Sequence, residues 1–307
     1  MAQIEEFVIG ALSTSCAGFF TNPLEVVKTR MQLQGELQAQ GNYTVHYRNA
    51  LHAFYTIAKK DGFIKLQNGL VPAVWYQMTM NGFRLGTYQV FVNYGLTKDK
   101  NGDVVIYKSL VAGALGGSVG ACIGSPFYMV KTHLQSKSVQ QIAVGYQHDH
   151  QSMRGAFRSV YSESGILGLW RGVVAAMSRV TVGSAVQLTT FFKIKEAIVK
   201  KKVFAEESAL VSLCASTTSG VVVTLFMTPF DVVSTRIYNQ GLDAQGNGLL
   251  YKGVADCYVK IFRQEGLWGF YKGWGPSFLR LVPHAMLSLT FWDQLRDFYG
   301  RFKSRNV

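Results

Sequence analysis

The sequence predicts an all-helical membrane protein made of three similar repeats. The first indication is a recurring proline, because Pro23, Pro126 and Pro229 follow one another at intervals of 103 residues. Similar apolar and charged residues follow each proline, and self-similarity at a fixed period indicates one structural unit used three times. The second indication is composition: 48% of the 307 residues are hydrophobic, 16% are charged and 31 are glycine. This combination is typical of membrane helices, in which small residues let backbones approach closely.

The six predicted membrane spans come in pairs, two to each repeat. Each is a largely apolar segment long enough to cross a bilayer, and together they cover residues 7–32, 70–96, 108–135, 173–199, 208–238 and 274–299. Long connections, each with a short amphipathic stretch, join the spans of a pair at 33–69, 136–172 and 239–273. The connections 97–107 and 200–207 are short, and six spans place both termini on their side. The predicted repeats are residues 1–100, 101–203 and 204–307.

Small and polar residues interrupt several of these spans. The third span has glycines at intervals of three and four residues, namely Gly113, Gly116, Gly117, Gly120 and Gly124. Hydroxyl residues cluster at 13–15 and 216–219. A small or polar face on a membrane helix either packs against a neighbour or lines water. We expect close packing for the glycines and a wet cavity for the hydroxyl residues.

The net charge of +13 predicts an anionic partner. Basic and aromatic residues are not interleaved as in nucleic-acid-binding modules, so the expected partners are an acidic solute and acidic lipid rather than nucleic acid. No catalytic triad or metal-ligand spacing is recognisable. We therefore expect no enzyme activity, no metal and no other cofactor.

The cysteines do not predict a disulfide framework, and the N-terminal segment does not resemble a leader peptide. Cys16, Cys122, Cys214 and Cys257 lack CxxC spacing and are predicted to be reduced core residues. Residues 1–6 lack the features of a signal or transit peptide, so any targeting information is expected to be internal.

A charged pair follows the proline in the first repeat. Glu25 stands two residues after Pro23 and Lys28 five after it. Residues three apart lie near one face of a helix, and a proline removes one helical hydrogen bond and bends the helix. Charges placed so, at the edge of a polar cavity, are expected to pair between helices.

These residues resemble the signature of the mitochondrial carrier proteins, Pro-x-[Asp/Glu]-x-x-[Lys/Arg]-x-[Lys/Arg/Gln]. Further similarities are an acidic-Gly step, as in Asp61-Gly62 and Glu265-Gly266, and an aromatic-basic-Gly step in the second and third repeats. The resemblance covers nearly the whole chain. It implies six transmembrane helices in three pseudo-symmetric repeats around a central cavity, with short amphipathic helices on the matrix side. It also implies a monomeric, multi-pass transporter of the mitochondrial inner membrane.

The resemblance implies a matrix gate in which the acid of one repeat pairs with the base of the next. The pairs would be Glu25 with Lys131, Asp231 with Lys28, and Tyr128 with Ser234. The two departures from the signature fall on the same pair, which leaves two ion pairs and one neutral contact between hydroxyls. Bracing glutamines are matched by Gln32 and Gln135, whereas Tyr238 replaces the third.

A second gate, on the cytoplasmic side, is implied by a weaker pattern near the end of each even-numbered span. If acids pair backwards round the ring, the contacts are Asp293 with Lys195, Gln89 with Arg296, and Phe192 with Val92. The aromatic-basic-Gly steps are implied to bind cardiolipin, and exposed amides at a helix start with a nearby cation suit its headgroup. The residues concerned are Arg171, Gly172, Lys272 and Gly273.

Equivalent positions on the even-numbered spans give the expected substrate site. The family's substrate-contacting positions are matched here by Tyr76, Arg84, Arg179, Gln187, Arg280 and His284. An arginine inside a membrane span is a functional hypothesis by default, and arginine binds carboxylates in bidentate fashion. The alternatives are arginines held by backbone carbonyls and, for His284, either a proton-linked group or a packing residue.

The expected function is transport of a small organic anion by alternating access. The segment 76–88 resembles the oxaloacetate branch of the family and also the dicarboxylate and oxoglutarate carriers. Dicarboxylates and keto acids such as oxaloacetate are therefore the expected substrates, moved by antiport or with protons. Two other interpretations remain: a carrier whose main activity is proton leak, and a non-transporting membrane scaffold of the same fold.

Overall fold

A computed structural model describes residues 2–39, 41–97, 105–200, 209–243 and 245–305. Six long helices span α1 (Ala2–Leu33), α3 (Leu70–Asn93), α4 (Ile106–Ser136), α6 (Val173–Lys200), α7 (Ala209–Asn239) and α9 (Trp274–Arg305). Three shorter helices lie in the long connections: α2 (Ala50–Lys60), α5 (Met153–Gly168) and α8 (Val254–Glu265). All nine are α-helices, and short 3-10 turns at Phe63–Gln67, Gln140–Ile142 and Leu267–Tyr271 complete the helical elements that these residues form.

The long helices coincide closely with the predicted spans, and the short ones with the predicted amphipathic stretches. Pro23, Pro126 and Pro229 all lie inside long helices, and the helix continues through each of them. Residue 208 and most of the two short connections lie outside the described residues. The prediction of an all-helical protein is confirmed for the residues that the structure describes.

Only some of the long helices are apolar enough to qualify as membrane spans on their own. Among the described residues, Tyr107–Ser136 and Thr218–Asn239 meet that criterion of length and composition. A third crossing is counted if Met153–Gly168 and Val173–Phe191, which meet at 77°, form one broken span. Charged residues inside other long helices, such as Arg84 in α3 and Arg280 in α9, lower their hydropathy. The six-span count therefore stays a prediction.

Glycines bring the backbones of α3 and α4 into direct contact. A Cβ atom on Gly116 would lie 2.7 Å from the carbonyl oxygen of Arg84, and one on Gly120 would lie 2.4 Å from that of Met80. No side chain fits at either position, because both obstacles are backbone atoms. The close-packing interpretation is confirmed for these two glycines.

The hydroxyl residues of α1 do not need a water-filled cavity. Ser13 and Thr14 donate to the carbonyl of Gly10, and Ser15 donates to that of Ala11. Helical serines and threonines commonly satisfy their hydroxyls in this way. These bonds leave the expectation of a wet cavity untested for this run, and the side chains of 215–217 lie outside the described residues.

The cysteines are free, as predicted, but they are not all in the core. Cys257 is buried, Cys122 and Cys214 are half-buried, and Cys16 is exposed on α1. Part of the core prediction is thus wrong, because an apolar helix in a membrane protein turns many of its side chains outward toward lipid.

At the start of three long helices, one glycine each lies against a residue of another repeat. Gly69, Gly172 and Gly273 precede α3, α6 and α9 with φ angles of 71°, 86° and 78°. A Cβ on Gly69 would lie 2.8 Å from Gln135 Cγ, and one on Gly273 would lie 2.8 Å from Gln32 Cγ. The glycines therefore allow the helix starts to lie directly on the predicted bracing residues.

Gly273→Ala is expected to destabilise the protein by about 1–3 kcal/mol, because alanine is strained at positive φ and its methyl group meets Gln32. The measurement is the melting temperature of the purified protein in detergent.

Gly275→Ala is the matched control, since a Cβ there meets no atom within 4 Å. Alanine is the better helix former, so this variant should melt at the wild-type temperature or slightly above. Equal melting temperatures for the two variants would contradict the proposed role of Gly273.

Candidate functional site

Two ion pairs join the proline motifs of different repeats. Lys28 Nζ on α1 lies 2.8 Å from Asp231 Oδ2 on α7, and Lys131 Nζ on α4 lies 2.5 Å from Glu25 Oε2 on α1. Both carboxylates are almost fully buried. Removing one partner of such a pair leaves an uncompensated charge at low dielectric, so the pairs hold the three helices together at this end.

The third position of this ring is neutral, as predicted, but its two hydroxyls do not bond to each other. Ser234 Oγ is buried and has no hydrogen-bond partner among the described residues. The ring of Tyr128 instead lies between two other tyrosine rings, 5.0 Å from Tyr76 and 5.0 Å from Tyr238. The predicted hydroxyl contact is therefore wrong, because aromatic packing carries Tyr128 toward the neighbouring rings.

The bracing positions lie directly beside the ion pairs. Gln135 Oε1 accepts a hydrogen bond of 2.9 Å from Thr29, and Gln135 Nε2 donates to Asn22 and, at 3.5 Å, to Glu25. Gln32 accepts from Thr235 at 2.8 Å. Gln135 thus contacts both the ion pair and the helix that carries it.

The third bracing position uses an aromatic residue. Tyr238 stands where the other repeats have glutamine, and its hydroxyl lies 2.7 Å from the hydroxyl of Ser125.

Arg179 and Arg280 bind the same carboxylates as the two lysines. Arg280 Nη1 lies 2.6 Å from Glu25 Oε1, and Arg179 Nη1 lies 3.5 Å from Asp231 Oδ1. Arg179 also donates to the hydroxyl of Tyr76 at 2.7 Å. In the described part of the chain neither arginine contacts a backbone carbonyl, so that alternative is wrong for these two positions. Each is instead partly compensated by a gate carboxylate.

The network nevertheless has an excess of positive charge. Four cationic side chains, those of Lys28, Lys131, Arg179 and Arg280, share two carboxylates, those of Glu25 and Asp231. The excess is two positive charges. A cavity of about 130 Å³ touches all of these residues except Asp231.

The other predicted substrate residues lie above this network. The side chain of Arg84 makes no hydrogen bond or ion pair with the residues that the structure describes, and Gln187 is exposed. His284 Nδ1 lies 3.0 Å from Thr21 Oγ1. This contact gives the ring of His284 a hydrogen-bond partner within the protein, as expected for a packing histidine.

The predicted cytoplasmic gate is not visible as a closed ring in the part of the chain that the structure describes. Gln89 donates to Asn93 in its own helix, Arg296 lies 5.2 Å over the ring of Trp292, and Asp293 is exposed. The side chain of Lys195 lies outside the described residues.

The predicted cardiolipin cations also contact protein atoms. Lys272 Nζ lies 2.6 Å from Glu265 Oε2 and donates to the carbonyls of Gln34 and Gly35. Arg171 donates to the carbonyl of Gly246.

Two buried arginines that the sequence analysis did not select connect different repeats near the C-terminal ends of α1 and α7. Arg30 pairs with Asp61 and donates to the carbonyl of Gln135, and Arg236 pairs with Glu265 and donates to the carbonyl of Gln32. The signal was available, because each arginine is the seventh residue after its proline and each acid opens an acidic-Gly step.

The second repeat replaces this arginine with His133. His133 Nε2 lies 2.7 Å from the carbonyl oxygen of Tyr238. The corresponding acid, Glu163, accepts from Ser159 at 2.5 Å. The rings of His148 and His150 stack against His133, and burial lowers the pKa of His148 to about 4.

Comparisons with known proteins agree with this architecture. The family model described as "Mitochondrial carrier protein" matches residues 2–99, 102–202 and 205–303. The chain is 50% identical to "Solute carrier family 25 member 35" of Mus musculus, over 97% of this chain and 99% of that protein. It is 38% identical to the "Mitochondrial oxaloacetate transport protein" of Saccharomyces cerevisiae (99% and 93%) and to the "Mitochondrial citrate transporter E" of Aspergillus niger (97% and 94%).

The chain therefore belongs to the mitochondrial carrier family. It is a membrane transporter of mitochondria and not an enzyme. The expected family and class of activity are confirmed.

Proposed function

We propose that this carrier transports a small dicarboxylate or keto acid, such as oxaloacetate, across the mitochondrial inner membrane. The observation that supports it most directly is the excess of two positive charges where Arg179 and Arg280 meet the gate carboxylates. A solute with two negative charges neutralises that excess, and each arginine can bind one carboxylate in bidentate fashion. Two relatives are named for the transport of oxaloacetate, a dicarboxylate, and of citrate, a tricarboxylate, which supports a substrate with at least two carboxylates.

The proposed mechanism is alternating access with the ion-pair ring as the matrix gate. Glu25 and Asp231 each hold one gate lysine and one arginine. When the two substrate carboxylates take over Arg280 and Arg179, each gate acid keeps only its lysine, so the closed ring loses part of its stabilisation. Binding can shift the equilibrium between states only by such differential interactions. Substrate would thereby favour opening toward the matrix.

Gln89, Lys195, Asp293 and Arg296 form the cytoplasmic gate in this proposal. Gln89 and Asp293 are exposed in the structure while the other ring is paired, which is the arrangement of a carrier open to the cytoplasm. Transport by exchange and transport with protons both fit this scheme. The intact ion pairs of the matrix ring argue against a non-transporting scaffold.

Six transmembrane helices, three repeats at 1–100, 101–203 and 204–307, and a monomer complete the proposed architecture. Cardiolipin would bind at the helix starts after Gly172 and Gly273, because the first turn of a helix leaves backbone amides without a partner in the helix. Of these, the amide of Val173 already donates to Trp170, and Pro276 carries no N–H. Since Lys272 and Arg171 already bind protein atoms, we propose the amides as the main headgroup contacts.

Ligand-dependent thermal stability tests the substrate class. Oxaloacetate and other dicarboxylates of four or five carbons are expected to raise the melting temperature in proportion to the logarithm of their concentration above Kd, because they bind the folded state. Monocarboxylates of the same length are the matched control and should have little effect. Stabilisation by nucleotides without stabilisation by dicarboxylates would show that the proposed substrate class is wrong.

Uptake into liposomes separates the remaining alternatives. A dicarboxylate carrier takes up labelled substrate, whereas a leak carrier carries proton current without it and a scaffold does neither.

A further inference from the structure

Three histidines of the second repeat lie side by side with their rings stacked. His133 lies near the end of α4, and His148 and His150 follow in the connection to α5. The ring of His133 lies 3.5 Å from that of His148 and 5.6 Å from that of His150. Each ring offers a nitrogen, and the three nitrogens lie within 4.8 Å of one another. This separation is within reach of a single ion.

The end of α7 orients two of the three rings. His133 Nε2 lies 2.7 Å from the carbonyl oxygen of Tyr238, and His148 Nε2 lies 3.0 Å from that of Asn239. A carbonyl oxygen only accepts, so both Nε2 atoms carry the proton and both Nδ1 atoms keep a lone pair. Metal-binding histidines are oriented by hydrogen bonds of this kind.

Two ring nitrogens of this cluster have no hydrogen-bond partner in the described residues. They are His133 Nδ1 and His150 Nε2, and both residues are more than nine-tenths buried. A buried polar atom without a partner costs free energy. These two nitrogens, together with the Nδ1 atom of His148, are therefore available to bind a metal ion.

Comparison with the other repeats indicates the charge of that ligand. In the first and third repeats a buried arginine faces the acid of the acidic-Gly step, as Arg30 faces Asp61. In the second repeat the arginine is His133, and the acid is Glu163. Glu163 lines the same cavity of about 290 Å³ as the three histidines. Among the described residues, the second repeat therefore has no cation at the position of this arginine, and Glu163 is exposed, whereas the Asp61 side chain is 2% exposed.

We propose that His133, His148 and His150 bind a divalent first-row transition metal ion, with Zn²⁺ as the best fit. The exposed side chain of Glu163, on the same cavity, would move in to supply the fourth ligand. Three imidazoles and one carboxylate are borderline ligands that suit zinc. A tetrahedral site holds its nitrogens about 2.0–2.1 Å from the ion and thus about 3.4 Å apart. The rings of His148 and His150 lie within 12° and 24° of parallel to that of His133, and an ion lies in the plane of each imidazole that binds it. The two loop rings would therefore have to turn out of this stacking, as well as move closer, on binding. The expectation of no metal, which rested on sequence spacing, is replaced by this proposal.

The ion would take over the role of the missing arginine. It would join α4 to the following connection and, through the hydrogen bonds of His133 and His148, to the end of α7. The site lies on the side of the bundle where the proline motifs pair. Zinc should therefore stabilise the state in which that end is closed. This proposal does not depend on the identity of the transported solute.

Zinc titration of purified protein without an affinity tag tests the proposal. ZnCl₂ is expected to bind with one ion per chain at micromolar or lower concentration and to raise the melting temperature. Co²⁺ in its place should give the visible absorption of a four-coordinate site. Failure of the wild-type protein to bind one Zn²⁺ below about 100 μM would overturn the proposal.

Variants locate the site. His150→Ala removes a nitrogen that has no hydrogen-bond partner, and it should weaken zinc binding at least tenfold without lowering stability in the absence of zinc. His52→Ala, on α2, is the matched control and should bind like the wild type. Unchanged binding by His150→Ala, or equal loss in His52→Ala, would place the ion elsewhere and contradict the proposal.

His133→Arg gives an independent measurement. It introduces the residue that the other repeats carry, so it should abolish the zinc response while retaining stability without zinc. If this variant does not fold, His150→Ala and His148→Gln still decide the outcome, because both lie in a connection rather than in a helix.

Discussion

Arg179→Ala and Arg280→Ala are each expected to reduce dicarboxylate uptake by about 100-fold or more. Each arginine supplies one of the two excess positive charges and a bidentate donor pair, and losing a charged partner in a buried site costs about 3 kcal/mol or more. Both proteins should stay folded, because Glu25 and Asp231 each keep a lysine. Uptake of labelled substrate by liposomes, alongside the melting temperature, measures the two effects separately.

Two further variants sharpen this experiment. Arg280→Lys keeps the charge but not the planar donor pair, so it should restore only part of the uptake. Arg263→Ala, at an exposed position on α8, is the control and should transport normally. Near-normal uptake by Arg280→Ala would mean that the substrate binds elsewhere.

Asp231→Asn is expected to lower the melting temperature by roughly 5–10 °C. The carboxylate holds Lys28 at 2.8 Å and Arg179 at 3.5 Å, so the substitution leaves the half-buried Lys28 and the buried Arg179 without a counter-charge. Breaking a buried pair from one side costs about 3–5 kcal/mol, and in a chain of this size each kcal/mol shifts the melting temperature by about 2 °C. Thermal unfolding in detergent measures it.

The same chemical change at the surface gives the control for Asp231→Asn. Asp149 is fully exposed and lies 3.6 Å from Lys137, and an exposed pair contributes about 0–1 kcal/mol. Asp149→Asn should therefore melt close to the wild-type temperature. Lys28→Met should lie between the two, since Asp231 then keeps Arg179. A different order would show that the two cations do not share Asp231 as described.

Those parts of the site that depend on local spacing could be predicted from the sequence. The recurring proline and the charges at fixed distances behind it predict the helix positions and a pairing of charges between helices. Which lysine Glu25 and Asp231 each bind was implied by the resemblance to the mitochondrial carriers. A repeat turns three local patterns into one ring, because equivalent residues must lie at equivalent places. The neutral third position could be predicted because Tyr128 replaces the acid, and Ser234 the base, of the same pair in the signature.

The contacts between different helices could not be predicted in the same way. That Arg179 and Arg280 bind the gate carboxylates depends on how far α6 and α9 lean toward α7 and α1, which packing decides. In the part of the chain that the structure describes, the hydroxyl of Ser234 has no partner because Tyr128 packs on Tyr76 and Tyr238. The histidine cluster could not be predicted because it depends on the path of the connection between α4 and α5, which has no periodic pattern.

The ring of contacts also has a consequence for how the chain is made. Lys28 binds Asp231 203 positions further along the chain, and Arg236 binds the carbonyl of Gln32 from 204 positions away. The first repeat is therefore synthesised long before its last partners exist, and such distant contacts form slowly. A chain that stops after the second repeat would lack the partners of Lys28 and Gln32, so the ring of contacts would stay open and charged groups would remain unpaired at its edges. Assembly in the membrane can finish only when the third repeat has arrived.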